Sequence, residues 1–136
     1  MHLTYNIEGG NFSKAGYASS EVKKILKQLN ITPKVIKRLV VALYEGEVNI
    51  VAHAYEGIIT VDIDPEKVSI LLKDKGPGIP DIEQAMEQGY STASQKVREM
   101  GFGAGMGLPN MKKNTDEMNI KSIINEGTEV AFVNYI

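Results

Sequence analysis

Gly101-Phe102-Gly103-Ala104-Gly105-Met106-Gly107-Leu108-Pro109-Asn110-Met111 sets four glycines at alternate positions and then passes into an amphipathic run. Alternating glycines remove Cβ atoms and permit φ > 0, so successive N–H groups can turn into one concavity. A helix starting there adds its own unpaired N–H groups and positive dipole end, which suits a phosphate chain. The ordinary alternative is a linker, which would run on in Ser, Gly and polar residues. Here Met106, Leu108, Met111, Met118 and Ile120 return the chain to core patterning. A P-loop would need a Gly-Lys-Ser/Thr ending, and neither Met106-Gly107 nor Leu108-Pro109 supplies the lysine. The dinucleotide fingerprint G-x-G-x-x-G would need glycine where Met106 or Leu108 stands, and the preceding Ser94 to Met100 is too charged for a buried parallel strand. A third kind of nucleotide site is required.

Composition narrows the field. The chain has 136 residues, 43% of them hydrophobic, which suits one compact domain (residues 1–136) with one core. The net charge is −2, with no long basic run, so the footprint of a nucleic-acid binder is missing. With no cysteine and only His2 and His53, thiolate metal and redox chemistry drop out. No stretch has the form of a signal peptide or the length of a membrane span, so a cytoplasmic protein without membrane contact is expected.

Working outward from the glycines, the periodicities predict an α+β fold. His2 to Ile7 alternates as an edge strand. Phe12 to Leu29 has helical spacing, with Asn11 placed to cap it, and Thr32-Pro33 opens a longer helix running to about Tyr55. Ile58 to Ile63 and Val68 to Leu72 read as a hairpin, Asp81 to Met86 as a short helix, and 118–124 with 128–133 as a closing hairpin. The result is a two-layer sandwich: a mixed, mainly antiparallel sheet of about five strands with helices on one face. Residues 89–103 carry almost no apolar periodicity and are expected to act as a lid, since segments of about fifteen residues without structure are usually functional.

Glu45, Asn49 and His53 fall at i, i+4 and i+8 of the long helix and share one face. Such a stripe is ordinarily a solvated face. Beside a phosphate loop it acquires chemistry: a carboxamide oxygen is a hard ligand suited to Mg²⁺, and a carboxylate one turn away can deprotonate a hydroxyl. Glu47 points elsewhere and reads as surface, and His53 as a packing or hydrogen-bonding residue. Asp74 is by itself an ordinary turn residue. With Gly76 and Gly78 beside it, a flat ring could lie against the backbone while the carboxylate accepts from an exocyclic amine, as adenine offers.

Together, Glu45-Gly46-Glu47-Val48-Asn49, Asp74-Lys75-Gly76-Pro77-Gly78 and Gly103-Ala104-Gly105-Met106-Gly107-Leu108 resemble the three boxes of the ATPase superfamily shared by gyrase, the large heat-shock chaperone, histidine kinases and mismatch-repair proteins. The Glu-x-x-x-Asn-x-x-x-His helix and Asn125-Glu126-Gly127-Thr128-Glu129-Val130 are similar to the bacterial anti-sigma factor serine kinases, and Gly78 to Thr92 to their switch-kinase branch. The resemblance covers roughly residues 30 to 136, and Ser94 to Met100 departs from it in being longer and more charged. It implies a Bergerat-type ATP-binding fold using ATP and Mg²⁺. Asn49 would hold Mg²⁺, Asp74 would read the adenine amine, and Gly76 and Gly78 would shape the base pocket. Gly103, Gly105 and Gly107, with Leu108 ending the box, would wrap the phosphates. Glu45 would be the catalytic base, and Thr128 would stand near the adenine-binding aspartate.

Two function classes follow from the resemblance. One is a serine/threonine kinase that phosphorylates a small antagonist (anti-anti-sigma) protein. The other is an ATP-dependent binding module that sequesters a sigma factor or activates a phosphatase. A homodimer is also implied.

Overall fold

The computed structural model describes residues 1–86 and 107–136; the proposed lid at 89–103, with Gly103 and Gly105, lies outside the described residues. Strands β1 (His2–Glu8), β2 (Glu56–Ile63), β3 (Lys67–Lys75), β4 (Glu117–Ile123) and β5 (Gly127–Tyr135) form one sheet in the order β1-β2-β3-β5-β4. Where the sequence reading allowed a mixed sheet, every pairing described is antiparallel; β2–β3 and β4–β5 are hairpins closed by short turns, and the longer connections from β1 to β2 and from β3 to β5 also return the chain in the opposite sense.

Helices α1 (Tyr17–Gln28), α2 (Pro33–His53), α3 (Ile82–Ala85) and α4 (Gly107–Lys113) complete the described elements. The central strands alternate strictly: Ile59 and Val61 of β2, Val68, Ile70 and Leu72 of β3, and Val130 and Phe132 of β5 are buried toward the helices. Val22 and Leu26 of α1, Leu39 and Leu43 of α2 and Met111 of α4 meet them in one cluster. Truncating a fully buried leucine here, such as Leu43→Ala, would cost about 2–5 kcal/mol. Close approach of α2 to the sheet depends on Gly46, where a Cβ would stand 2.5 Å from Leu72 Cδ2 and 2.9 Å from Met111 Cε.

The first helix differs from expectation. A short 3₁₀ turn at Phe12–Lys14 ends at Ala15, and Gly16 (φ +94°) redirects the chain before α1 begins at Tyr17. Asn11 caps neither element: its side chain donates to Glu8 Oε2 (3.3 Å) and accepts from Ser13 Oγ (2.8 Å). At α2, Pro33 supplies the start without a side-chain cap from Thr32.

Candidate functional site

The site is built on α2, the 21-residue helix that lies across the sheet. Glu45 and Asn49, one turn apart, are both half-buried and face α4. A Cβ at Gly107 would lie 2.9 Å from Asn49 Oδ1 and 3.0 Å from Nδ2, so the first residue of α4 sits against the Asn49 carboxamide. One turn on, Asn110 Nδ2 donates to Glu45 Oε1 at 3.5 Å, a long and weak bond. The pairs Asn49 with Gly107 and Glu45 with Asn110 run in opposite senses along the two helices, so α4 packs antiparallel to α2 with its N-terminus at Asn49. Leu108 and Met111 are buried and hold α4 to the core.

The second part of the site is at the end of β3. Asp74 is half-buried, and its Oδ1 accepts the Thr128 N–H at 3.0 Å. Burial pushes the Asp74 carboxyl above its ordinary value, and the Thr128 hydrogen bond opposes that rise. Gly127 makes this contact possible: a Cβ there would stand 2.0 Å from the Asp74 carbonyl oxygen. Gly76 packs on Ala54, its Cβ position 3.1 Å from Ala54 Cα, next to the end of α2. Gly78 (φ +78°) has its Cβ position 2.6 Å from the Ile123 carbonyl oxygen, so only glycine lets this loop lie on the β4–β5 hairpin.

Hydrogen bonds hold that loop in place. Gly76 N–H donates to the Glu126 carbonyl (3.1 Å), Asn125 N–H to the Pro77 carbonyl (2.9 Å) and Ile79 N–H to Ser122 Oγ (2.7 Å). Ser122 Oγ also lies 2.9 Å from Thr128 Oγ1. The loop, Asp74 and Thr128 therefore form one hydrogen-bonded unit. Asn110 and Ser122 were not singled out in the sequence. Asn110 stands one turn beyond Gly107, which is the only sequence signal that could have marked it, and Ser122 sits in a strand whose alternation reveals nothing of its partners.

Glu47 is a correction. It does point away from Glu45 and Asn49, but it is only 1% exposed. Its Oε2 accepts the Gly16 N–H (3.0 Å) and the Ala18 N–H (3.2 Å), and its Oε1 accepts the Ser19 N–H (3.0 Å) and Ser19 Oγ–H (2.6 Å). A carboxylate from α2 thus caps the N-terminus of α1, a favourable charge at a helix start that otherwise has no side-chain cap. His53, at the other end of the stripe, is half-buried, and burial lowers its pKa, which favours the neutral ring.

Asn49 offers a hard carboxamide oxygen beside the glycine start of α4, and Glu45 a carboxylate one turn along; this donor set fits Mg²⁺ carried with phosphates. No group of three or more His, Cys, Asp or Glu able to hold a metal alone occurs among the described residues, so any ion there would be completed by its ligand. No helix among them is long and apolar enough to cross a membrane.

A long helix working against a glycine-opened helix, over an antiparallel sheet, is the layout of an ATPase sandwich. The profile of the histidine kinase-like ATPase domain matches residues 14–133, and the chain belongs to that family. It is 32% identical over 118 residues to the protein named "Serine/threonine-protein kinase RsbT" from Bacillus subtilis, covering 84% of this chain and 83% of that one. It is 34% identical over 144 aligned positions to "Anti-sigma F factor" from Thermoanaerobacter, covering 100% of this chain and 97% of that one. Solved structures share the fold. The mycobacterial sensor histidine kinase MprB superposes with a TM-score of 0.57 at 17% identity, over 99% of this chain and 97% of that one. A chain of the SiaB–SiaC complex from Pseudomonas aeruginosa superposes with a TM-score of 0.58 at 11% identity, over 98% of this chain and 89% of that one.

Proposed function

We propose that the chain is an ATP-dependent serine/threonine protein kinase of the anti-sigma type, acting on a small antagonist protein in a partner-switching pathway. The observation that carries the reading is the opposition of Glu45 and Asn49 on α2 to the glycine start of α4, in a chain whose relatives bear kinase and anti-sigma names.

The division of labour follows from the chemistry of the groups. Asp74 has one carboxylate oxygen occupied by Thr128, and its remaining lone pairs would accept the exocyclic amine of adenine. The ring would lie on the Gly76 to Gly78 backbone. Asn49 would hold Mg²⁺, which supplies charge neutralisation on the phosphates when bound. Gly107 and Leu108 would present the first N–H groups of α4, and Gly103 and Gly105 would extend that cradle. Glu45 would take the proton from a serine or threonine hydroxyl of the partner as its oxygen forms a bond to the γ-phosphorus and the bond to the β-phosphate oxygen breaks.

Transfer of label from γ-³²P-ATP to a candidate antagonist protein tests the reading. No label, with binding that still depends on ATP, would leave the second class: a module that sequesters a sigma factor or activates a phosphatase. Self-association through the free edge of β1 or through α1 belongs to the same proposal. Sedimentation that shows only monomer, with and without ATP, removes that part.

A further inference from the structure

Between the C-terminal half of α1 and the N-terminal half of α2 runs an open groove of about 720 Å³, at the opposite end of α2 from Asn49. Its lining joins apolar Ile31, Ile36, Val40 and Val41 to Lys23, Lys27 and Lys37. The charge around it is segregated. Residues 22–44 hold six of the chain's 15 Lys and Arg and none of its 17 Asp and Glu, in a protein whose net charge is −2. Lys24 pairs with Glu21 and Arg38 with Asp116. Lys23, Lys27, Lys34 and Lys37 have no carboxylate partner among the described residues, and all four are exposed.

The placement of these lysines is not explained by helix stability. Lys27, in the last turn of α1, complements that helix dipole, but Lys34 and Lys37 stand near the N-terminus of α2, where positive charge is unfavourable and where no acidic residue occurs in the first turn. Nor does the core need them, since Val22, Leu26, Ile36 and Leu39 already seal the α1–α2 contact beneath. A lining of lysines and apolar side chains, set between two helices, has the complement of an amphipathic acidic helix: apolar side chains at i, i+3 and i+4 in the groove and carboxylates beside them.

We propose that this groove docks an acidic amphipathic helix of a protein partner, at a surface separate from the nucleotide site. The lining residue nearest the nucleotide site is Val41, four positions from Glu45 on α2, about 6 Å along the helix axis at a rise of ~1.5 Å per residue, and Lys23, Lys27 and Lys37 lie farther off. The proposal stands independently of the kinase reading. Nucleic acid and anionic membrane would use the lysines but not the apolar lining, which is why a protein helix is favoured.

The test titrates the ¹⁵N-labelled protein with a glutamate–leucine amphipathic helical peptide of about four turns, long enough to persist as a helix once docked. Parallel arms use the same peptide with each leucine replaced by serine, a short DNA duplex, and vesicles containing phosphatidylglycerol. Expected are amide shifts that cluster at Ile31, Ile36, Val40 and the flanking lysines, and affinity about tenfold weaker without the leucines. The triple variant K23E/K27E/K37E should abolish binding while Mg-ATP affinity, measured on the same preparation, is unchanged. Absence of shifts, equal binding of the leucine-free peptide, or tighter binding of DNA or vesicles would overturn the proposal.

Discussion

Asn49 and Gly107 are in such close contact that the glycine position has no room for a side chain: a Cβ would lie 2.9 Å from the Asn49 carboxamide oxygen. Two helices distant in sequence are therefore fitted to one another at the atom proposed to hold the ion. Gly107→Ala should turn the Asn49 side chain out of its position, because rotating a carboxamide is easier than moving α4 off its buried Leu108 and Met111. Mg-ATP affinity by calorimetry should fall about tenfold or more, with a small change in melting temperature. Affinity equal to wild type would show that the Asn49 orientation does not matter for binding.

Glu47 yields a stability prediction of a different kind. Glu47→Ala would strand the N–H groups of Gly16, Ala18 and Ser19 and the Ser19 hydroxyl at a buried helix start. Each buried unsatisfied donor costs about 1–3 kcal/mol, and relaxation and water entry recover part, so a loss of about 3–5 kcal/mol in urea unfolding is expected. Glu47→Gln keeps one accepting oxygen and should lose less than Glu47→Ala. A loss below about 1 kcal/mol for Glu47→Ala would mean that α1 starts without this cap.

The difference between Glu47 and its neighbours explains what was legible in the sequence. Helical phase correctly separated Glu47 from Glu45 and Asn49, and strand alternation located the runs that form β2, β3 and β5. Both are local periodicities, and local periodicity survives tertiary packing. What α1 does to the far side of α2 is not local. Gly16 breaks the chain out of its helical spacing and brings the start of α1 over Glu47, so a residue that phase alone assigns to solvent becomes 1% exposed. Asn110 and Ser122 were hidden for the same reason: their partners, Glu45 and Ile79, are 65 and 43 positions away.

Asp74 links function to pH. Its carboxyl is raised by burial, so the native state favours the protonated form more than the unfolded chain does. A group raised in this way contributes stability that is fully present below its unfolded value and lost as pH rises through its folded value. At neutral pH Asp74 therefore contributes nothing of this kind, and Asp74→Asn, which keeps an oxygen for the Thr128 N–H, should melt no lower than wild type. In the proposed role the ionised carboxylate is the better acceptor for the adenine amine, so ATP affinity should fall with decreasing pH before an ordinary carboxylate would titrate. Asp74→Asn should lose ATP binding without losing stability. Equal ATP affinity of this variant, or equal binding of GTP by wild type, would remove Asp74 from the base pocket.

Glu45 is the residue on which the kinase reading depends. It is half-buried and one turn from Asn49, and among the described residues its hydrogen bond is the long contact with Asn110, which in the proposed reading leaves the carboxylate available to a substrate hydroxyl. Most of the barrier to phosphoryl transfer is lowered by positioning and charge neutralisation, which Glu45 does not supply. Removing a general base typically costs about 10² to 10⁴ in rate. Glu45→Ala should therefore bind Mg-ATP within about threefold of wild type while transfer to the antagonist falls by about 10² or more. Asn49→Ala should lose both binding and transfer, and Asn110→Ala, which frees Glu45 without removing it, should change the transfer rate by less than about tenfold. Quench-flow measurement of a single turnover with the antagonist in excess separates these outcomes from slow product release. Undiminished transfer by Glu45→Ala would assign the proton to another acceptor and leave Glu45 as a helix residue that only lines the site.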